Sequence, residues 1–355
     1  MIGATPWTTI GPHLLLLSFL ALVLSVFAFR YTFRRWAIPA LILAGCASIG
    51  SAYINGRIFF ATNAAGGSIN PFSSLFLQSM IADGPDETVT VATIDDRSLR
   101  AAIYRPEKSG NLAPILVYVH GGGFMVGSVT ETDADLRWFA DQGWLVVSVD
   151  YRLFPEGSPT WDLAPADVAC ALAWLKSNAT EFGGDISRLA ILGDSAGGNL
   201  AINLAYANAR GDLETDCGEL PTVRAVIVQY PAVDPLAIYE HGFPVPGFEP
   251  QMLLTGYLGG SPHALPERVQ TINSYTYIHD RAPPTLVISP TKDGLVPAWS
   301  VVQFAEKAEQ AGVDIELVRI PFANHVYNQL ALNSLGNQAR RSITVRYLTG
   351  QGLAP

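Results

Sequence analysis

One serine of the chain, Ser195, stands in Gly193-Asp194-Ser195-Ala196-Gly197-Gly198, behind an apolar run at 189–192 and ahead of an Ala- and Leu-rich helical segment. The G-x-S-x-G spacing lets a chain reverse sharply from strand to helix, with small residues around the nucleophile to avoid collision. It raises the serine hydroxyl at the mouth of a sheet, beside a helix N-terminus whose dipole favours developing negative charge. A serine hydroxyl attacks poorly until a base takes its proton, so the same chemistry requires an imidazole. Of the six histidines, His13 lies in an apolar N-terminal stretch, His120 in a glycine loop, and His241, His263 and His279 in the irregular segment 231–281. His325 alone stands late in the chain just past an expected strand, at 315–320, and is the candidate base. The acid that orients it should follow the preceding strand. The run 285–289 leads into Pro290-Thr291-Lys292-Asp293, which offers Asp293; Asp234, after 225–228, is the rival. Ser195, Asp293, His325 is the chain order of nucleophile, acid and base expected for this elbow.

A second strand end reads His120-Gly121-Gly122-Gly123-Phe124, after an apolar run at 115–119. Consecutive glycines let the backbone approach a substrate oxygen and aim several N–H groups at it. No Gly-Lys-Ser/Thr follows, and the spacing is wrong for G-x-G-x-x-G, so a phosphate or dinucleotide turn is disfavoured. The N–H groups of Gly121, Gly122, Gly123 and Ala196 are therefore the candidate oxyanion hole, Gly122 and Gly123 foremost. His120 is expected to brace the loop rather than act as a base.

These strand ends need a scaffold. Segments 88–94 and 99–104 alternate like an antiparallel hairpin at a sheet edge. Apolar runs at 115–119, 145–149, 189–192, 225–228, 285–289 and 315–320 read as strands buried on both faces. Helical patterns at 164–178, 197–210, 301–311 and 335–348 lie between them. The expectation is an α/β fold with a mostly parallel central sheet and helices on both faces, ligands binding beyond the carboxyl ends of the strands. Segment 231–281, rich in Pro, Gly and aromatics, is expected to form a cap inserted in a catalytic domain at 88–355.

The N-terminus differs in kind. Of 355 residues 49% are hydrophobic and 15% charged, yet residues 1–82 hold only Arg30, Arg34, Arg35 and Arg57 and no acid. Apolar stretches at 11–29 and 36–54, about 28 Å each as helices, are long enough to cross a bilayer. Between them Arg30, Arg34 and Arg35 mark a cytoplasmic turn, which predicts a membrane anchor at 1–57 and a catalytic domain on the extracytoplasmic, periplasmic or lumenal, side. Leu43-Ala44-Gly45-Cys46 offers the alternative of a lipoprotein cleavage box. Within a linker at 58–87, residues 71–82 are expected to form an amphipathic helix. On this reading residues 1–57 tether the protein and are dispensable for hydrolysis of a short soluble ester. The body beyond residue 82 carries 18 basic and 31 acidic residues, which argues against nucleic-acid partners. Three cysteines, Cys46, Cys170 and Cys217, are too few for a disulfide framework and show no metal-ligand spacing.

Four motifs together, His120-Gly121-Gly122-Gly123-Phe124, Val149-Asp150-Tyr151-Arg152-Leu153, Phe182-Gly183-Gly184-Asp185 and Gly193-Asp194-Ser195-Ala196-Gly197-Gly198, resemble the hormone-sensitive-lipase-like family of α/β-hydrolase esterases over most of residues 88–348. The resemblance implies an α/β-hydrolase fold and hydrolysis of small-molecule carboxylic esters through a Ser-Asp-His triad and an acyl-enzyme, with no metal or organic cofactor; lipophilic or short-to-medium acyl esters are the expected substrates. It also implies structural roles for Asp150 and Arg152 and a supporting role for Asp194. Two features depart from the family pattern: the N-terminal hairpin, and the acid segment Lys292-Asp293-Gly294-Leu295, looser than Asp-x-Leu-x-Asp. A non-catalytic small-molecule-binding protein or a peptidase on the same fold are the alternatives.

Overall fold

The computed structural model describes residues 5–31, 34–94, 97–107, 111–154, 159–213 and 215–355, arranged as two compact units. The middle of the expected basic turn, Thr32 and Phe33, lies outside the described residues. The first unit comprises Met1–Ser79, Pro290–Lys292 and Arg319–Ile343; the rest of the chain forms the second.

In the first unit a short helix, α1 (Thr5–Thr9), precedes α2 (Gly11–Tyr31) and α3 (Arg34–Ala64). Both long helices are apolar enough to cross a membrane, with mean hydropathies of 2.3 and 1.8 over their most apolar windows, and most of those windows is exposed. Leu17, Phe19 and Leu24 on α2, and Trp36, Leu43 and Ile49 on α3, are bare. A soluble protein rarely leaves so large an apolar surface uncovered. The Asn55 side chain of α3 donates to the Gly11 carbonyl at 3.1 Å, an approach that suits glycine because a Cβ there would lie 2.8 Å from Asn55 Oδ1. Helix α3 continues ten residues past the expected span.

The helix expected at 71–82 does not form. Only one 3₁₀ turn, Ser73–Leu75, is present. Asn70 Oδ1 accepts from the N–H groups of Phe72 and Ser73, and the Asn333 side chain donates to the carbonyls of Ser73 and Phe76. Side chains thus satisfy backbone groups that a helix would otherwise pair.

The second unit is organised by an eight-stranded sheet: β1 (Glu87–Ile94), β2 (Arg97–Tyr104), β3 (Ala113–Val119), β4 (Leu145–Val149), β5 (Gly184–Asp194), β6 (Ala225–Gln229), β7 (Thr285–Pro290) and β8 (Ile315–Ile320), in the order β1-β2-β4-β3-β5-β6-β7-β8. The β1–β2 and β2–β4 pairs are antiparallel; β4–β3, β3–β5, β5–β6 and β6–β7 are parallel. Every residue of β3, β4, β6 and β7 is buried, as expected of strands covered on both faces. Helices α4 (Asp133–Asp141), α5 (Leu163–Asn178), α6 (Ala196–Arg210) and α10 (Ala298–Gln310) alternate with the strands, and α7 (Pro235–His241), α8 (Pro250–Leu258) and α9 (Pro266–Ile272) occupy the segment between β6 and β7. The last helix, α11 (Leu335–Gly350), begins in the first unit and ends in the second.

Cys170 on α5 is joined to Cys217 by a disulfide, a pairing across 47 residues that sequence spacing does not announce. The bond closes a loop containing α6, β5 and the elbow serine, so it restricts the unfolded chain. Cys170→Ser is expected to lower unfolding free energy by about 2–4 kcal/mol. Denaturant titration checks this, and reductant should destabilise the parent protein but leave the variant unchanged.

Candidate active site

Strand β5 hands the chain to α6 through Ser195, whose backbone is held at φ 53°, ψ −113°. A non-glycine residue at such a conformation stores strain of about 1–3 kcal/mol and persists only where its surroundings enforce it. The enforcing contacts are backbone to backbone. Ser195 N–H donates to the Gln229 carbonyl at 3.0 Å, and its carbonyl accepts from Ala232 N–H at 3.0 Å. A Cβ on Gly193 would lie 2.4 Å from the Gly197 carbonyl oxygen, and one on Gly197 would lie 2.1 Å from that of Val119. Both glycines of the motif are therefore places where main chain meets main chain, which no rotamer change could relieve.

The glycine loop abuts this turn. A Cβ on Gly121 would stand 3.1 Å from the Asp194 carbonyl oxygen and 3.5 Å from Ser195 Cβ. Gly122 and Gly123 take φ of 97° and 64°, as a turn built for backbone approach requires. Tyr151 Oη donates to the carbonyls of both His120 and Gly121, at 2.8 and 3.0 Å, and burial pushes its phenol pKa far up, so it stays a donor. The His120 ring stacks on Tyr151 at 4.3 Å and its Nδ1 is 2.9 Å from the Gly121 carbonyl, so His120 braces the loop as expected.

Ser195, Ala196 and Gly123 line one small cavity of about 30 Å³, closed by apolar side chains that include Ile238, Leu253, Leu254, Leu295 and Val296. The helices between β6 and β7 supply much of this wall. Asn199, one turn along α6, ties them down by donating to the carbonyls of Ala232 and Ile272 and to Ser274 Oγ.

Asp194 is fully buried and accepts from Gln229 Nε2 at 2.8 Å, Tyr118 Oη at 3.3 Å and Tyr230 Oη at 3.4 Å. These bonds hold its carboxylate in place beside Ser195. Burial, with the Asp194 charge second, raises the Glu131 carboxyl above its ordinary range. Arg152 forms a bidentate pair with the buried Asp167, and Asp150 pairs with Arg100. Asp293 Oδ1 accepts from the N–H groups of Leu295 and Val296, both at 3.0 Å, which fixes the carboxylate two residues from the cavity wall. The rival Asp234 instead caps α7, accepting from Ala237 N–H at 3.1 Å.

His325 belongs to the first unit, where it is 3% exposed and its N–H donates to Asn324 Oδ1 at 2.8 Å. Its loop is strained on both sides, with Phe322 at φ 57° and the β-branched Val326 at φ 53°. Within the same unit this loop is stitched to the end of the β7 segment: Thr291 N–H donates to the Ile320 carbonyl, Lys292 N–H to the Ala323 carbonyl at 2.9 Å, and Phe322 N–H to Thr291 Oγ1. The residues that immediately precede Asp293 are thus bonded to the residues that lead into His325. The sequence alone does not point to Asn199, Gln229 or the apolar wall, whose partners lie far along the chain, and it offers Tyr151 only as part of a motif, without its bonds to the glycine loop.

Comparisons with known proteins agree with this architecture. The profile of the BD-FAE family matches residues 101–308. The chain is 30% identical to an ethyl acetate hydrolase of Pseudomonas putida over 262 residues, covering 70% of this chain and 78% of that one. It is 27% identical to the esterase LipQ of Mycobacterium tuberculosis over 232 residues, covering 64% of this chain and 53% of that one, so it spans about half of LipQ. Among solved structures, butyrate-bound esterase 2 of Thermogutta terrifontis matches in fold with a TM-score of 0.62 and 24% identity, over 77% of this chain and 96% of that one.

The buried His120 yields a pH prediction. Burial lowers its pKa from the ordinary 6.5, outweighing the Gly121 carbonyl and the Asp150 charge, which raise it. Below about pH 6.5 the unfolded chain binds a proton that the folded one resists, so stability present above that value falls as pH drops through it. His120→Gln is expected to flatten the slope of unfolding free energy between roughly pH 5 and 6.5, whatever its effect on absolute stability. An unchanged slope in denaturant titrations across that range would count against the assignment.

Proposed function

The chain belongs to the BD-FAE family, a hormone-sensitive-lipase-like family of α/β-hydrolases, and from that premise we propose that it is a serine carboxylic-ester hydrolase with Ser195, Asp293 and His325 as its triad. The observation that carries this reading is the strained elbow at Ser195, which opens with Gly123 and Ala196 onto one apolar cavity. Strain of this kind at a polar residue is characteristic of a reacting group. Three further facts support Asp293 and His325. Each follows a neighbouring strand of the sheet, the segments leading to them are hydrogen-bonded to each other, and Asp234 is occupied as a helix cap.

In this mechanism His325 takes the Ser195 proton as the hydroxyl oxygen attacks the ester carbonyl. Asp293 holds the imidazole in the required tautomer and stabilises the imidazolium. The tetrahedral oxyanion is met by the N–H groups of Gly122, Gly123 and Ala196, each such donor contributing about 2.7–4 kcal/mol to transition-state stabilisation. Collapse expels the alcohol, protonated by His325. Water, deprotonated by the same imidazole, then releases the acid from Ser195.

Cavity size argues for a short acyl group. The cavity beside Ser195 is narrow and lined mostly by apolar side chains, which favours a short chain such as acetyl or propionyl. The acetyl ester named for the Pseudomonas putida relative is of this class. The two apolar helices are read as a membrane hairpin, with Arg30 and Arg35 on the cytoplasmic side and the catalytic residues on the other.

With p-nitrophenyl acetate and full-length protein in detergent, Asp293→Asn is expected to lower kcat by about 10³–10⁴-fold. Asp234→Asn, which retains a capping oxygen, should change kcat by less than roughly tenfold. The reverse ranking would overturn the acid assignment. Leu253→Ala, which removes part of the cavity wall against Gly123, should move the preferred acyl chain from acetyl or propionyl toward hexanoyl; an unchanged chain-length profile would contradict the assigned acyl pocket.

A further inference from the structure

The stretch that carries His325 is bonded to the N-terminal segment. From Arg319 to Ile343 it belongs to the same compact unit as the N-terminal helices, and the bonds inside that unit run from one to the other. Thr8 on α1 is fully buried, and its Oγ1 donates to the main-chain carbonyl of Tyr327, two residues beyond His325, at 3.1 Å. Gly336 allows this approach, since a Cβ there would lie 2.6 Å from the Tyr327 carbonyl oxygen and 3.0 Å from Thr8 Cβ. On the other side of the histidine, the Tyr53 ring of α3 meets Phe322 edge-on at 6.0 Å.

Farther along, Asn333 spans the linker with all its polar atoms. Its Oδ1 accepts from Gln78 N–H at 2.9 Å and its Nδ2 donates to the Ser73 and Phe76 carbonyls, while Leu332 N–H donates to the Gln78 carbonyl at 3.0 Å. Gln338 accepts from Asn70 N–H at 2.7 Å and donates to Ser74 Oγ at 2.8 Å. The two residues at unfavourable positive φ, Phe322 and Val326, bracket the histidine between these attachments. A loop held in such a conformation relaxes when its restraints are removed.

We propose that the N-terminal segment, through Thr8 and the Asn333 bridge to residues 73–78, holds the His325 loop in its working conformation, so that Thr8 and Asn333 are positioning residues of the hydrolase. This rests on the reading of His325 as general base. It assigns the apolar N-terminus a part in catalysis, where sequence alone suggests a dispensable tether. The coupling is through the backbone: Thr8 fixes the carbonyl two residues after the imidazole, and a displaced loop carries the ring away from the geometry that proton transfer demands.

The test uses the full chain in detergent with p-nitrophenyl acetate. Thr8→Val keeps the shape and removes the donor; Thr8→Ser keeps the donor. We expect Thr8→Val and Asn333→Ala each to lower kcat by about 10- to 100-fold with KM within roughly twofold, and Thr8→Ser to restore kcat. Leu20→Ala, on the exposed face of α2, should behave as the parent. Should Thr8→Val fail to fold, by loss of the parent melting transition, Asn333→Ala carries the comparison. Parent-like kcat in Thr8→Val and Asn333→Ala, with His325→Gln inactive, overturns the positioning role and leaves the triad standing. Loss of kcat that Thr8→Ser does not restore, or that accompanies an equal rise in KM, also overturns it. An active His325→Gln variant would instead remove the general base on which both readings rest.

Discussion

The backbone of Ser195, held at a positive φ between a strand and a helix, is the constraint around which the catalytic unit is arranged. Left alone, the residue would relax. It cannot, because main chain crowds it: Gly193 against Gly197, and Gly197 against the carbonyl that ends β3. Each of these approaches requires an absent Cβ, which is why the residues around the serine are small. The same crowding brings the glycine loop against Ser195, so one steric arrangement sets both the serine hydroxyl and the amides of the proposed oxyanion hole. Asp194, turned inward and held by Gln229, Tyr118 and Tyr230, anchors the turn from below.

The histidine loop solves a similar problem differently. It too contains backbone outside the ordinary regions, at Phe322 and Val326, but within a longer connection, from β8 to α11. Its restraints include bonds from side chains and carbonyls of residues 8–78 and of the segment 290–292. A long apolar N-terminus and a loop late in the chain therefore fold as one compact unit. The wall beside Ser195 follows a third pattern, in which Asn199 pins short helices onto α6 around a small apolar cavity.

Much of this was legible in the sequence because it is local. The elbow, the glycine loop and the buried parallel strands are written in residues adjacent along the chain, and their observed bounds differ from expectation mainly at the ends. What escaped depends on distant partners. The Cys170–Cys217 bond joins residues 47 apart, and Thr8 meets Tyr327 across 319 positions. The segment 71–82 has the composition of an amphipathic helix, yet Asn70 and Asn333 claim its backbone groups, and nothing in its own residues reveals that. Helix α3 overran its expected end because apolar composition marks a membrane span, whereas helix length is set by hydrogen bonding that continues to Ala64.

If Ser195 is the attacking group, its hydroxyl becomes covalently acylated during turnover. Acid quenching within milliseconds of mixing the full-length protein with p-nitrophenyl acetate, followed by peptide mass spectrometry, tests it directly. A single acetyl adduct on the peptide containing Ser195, formed as fast as the first burst of nitrophenol, is expected. Ester turnover with no adduct at that serine, or with the acetyl group on another residue, would contradict it.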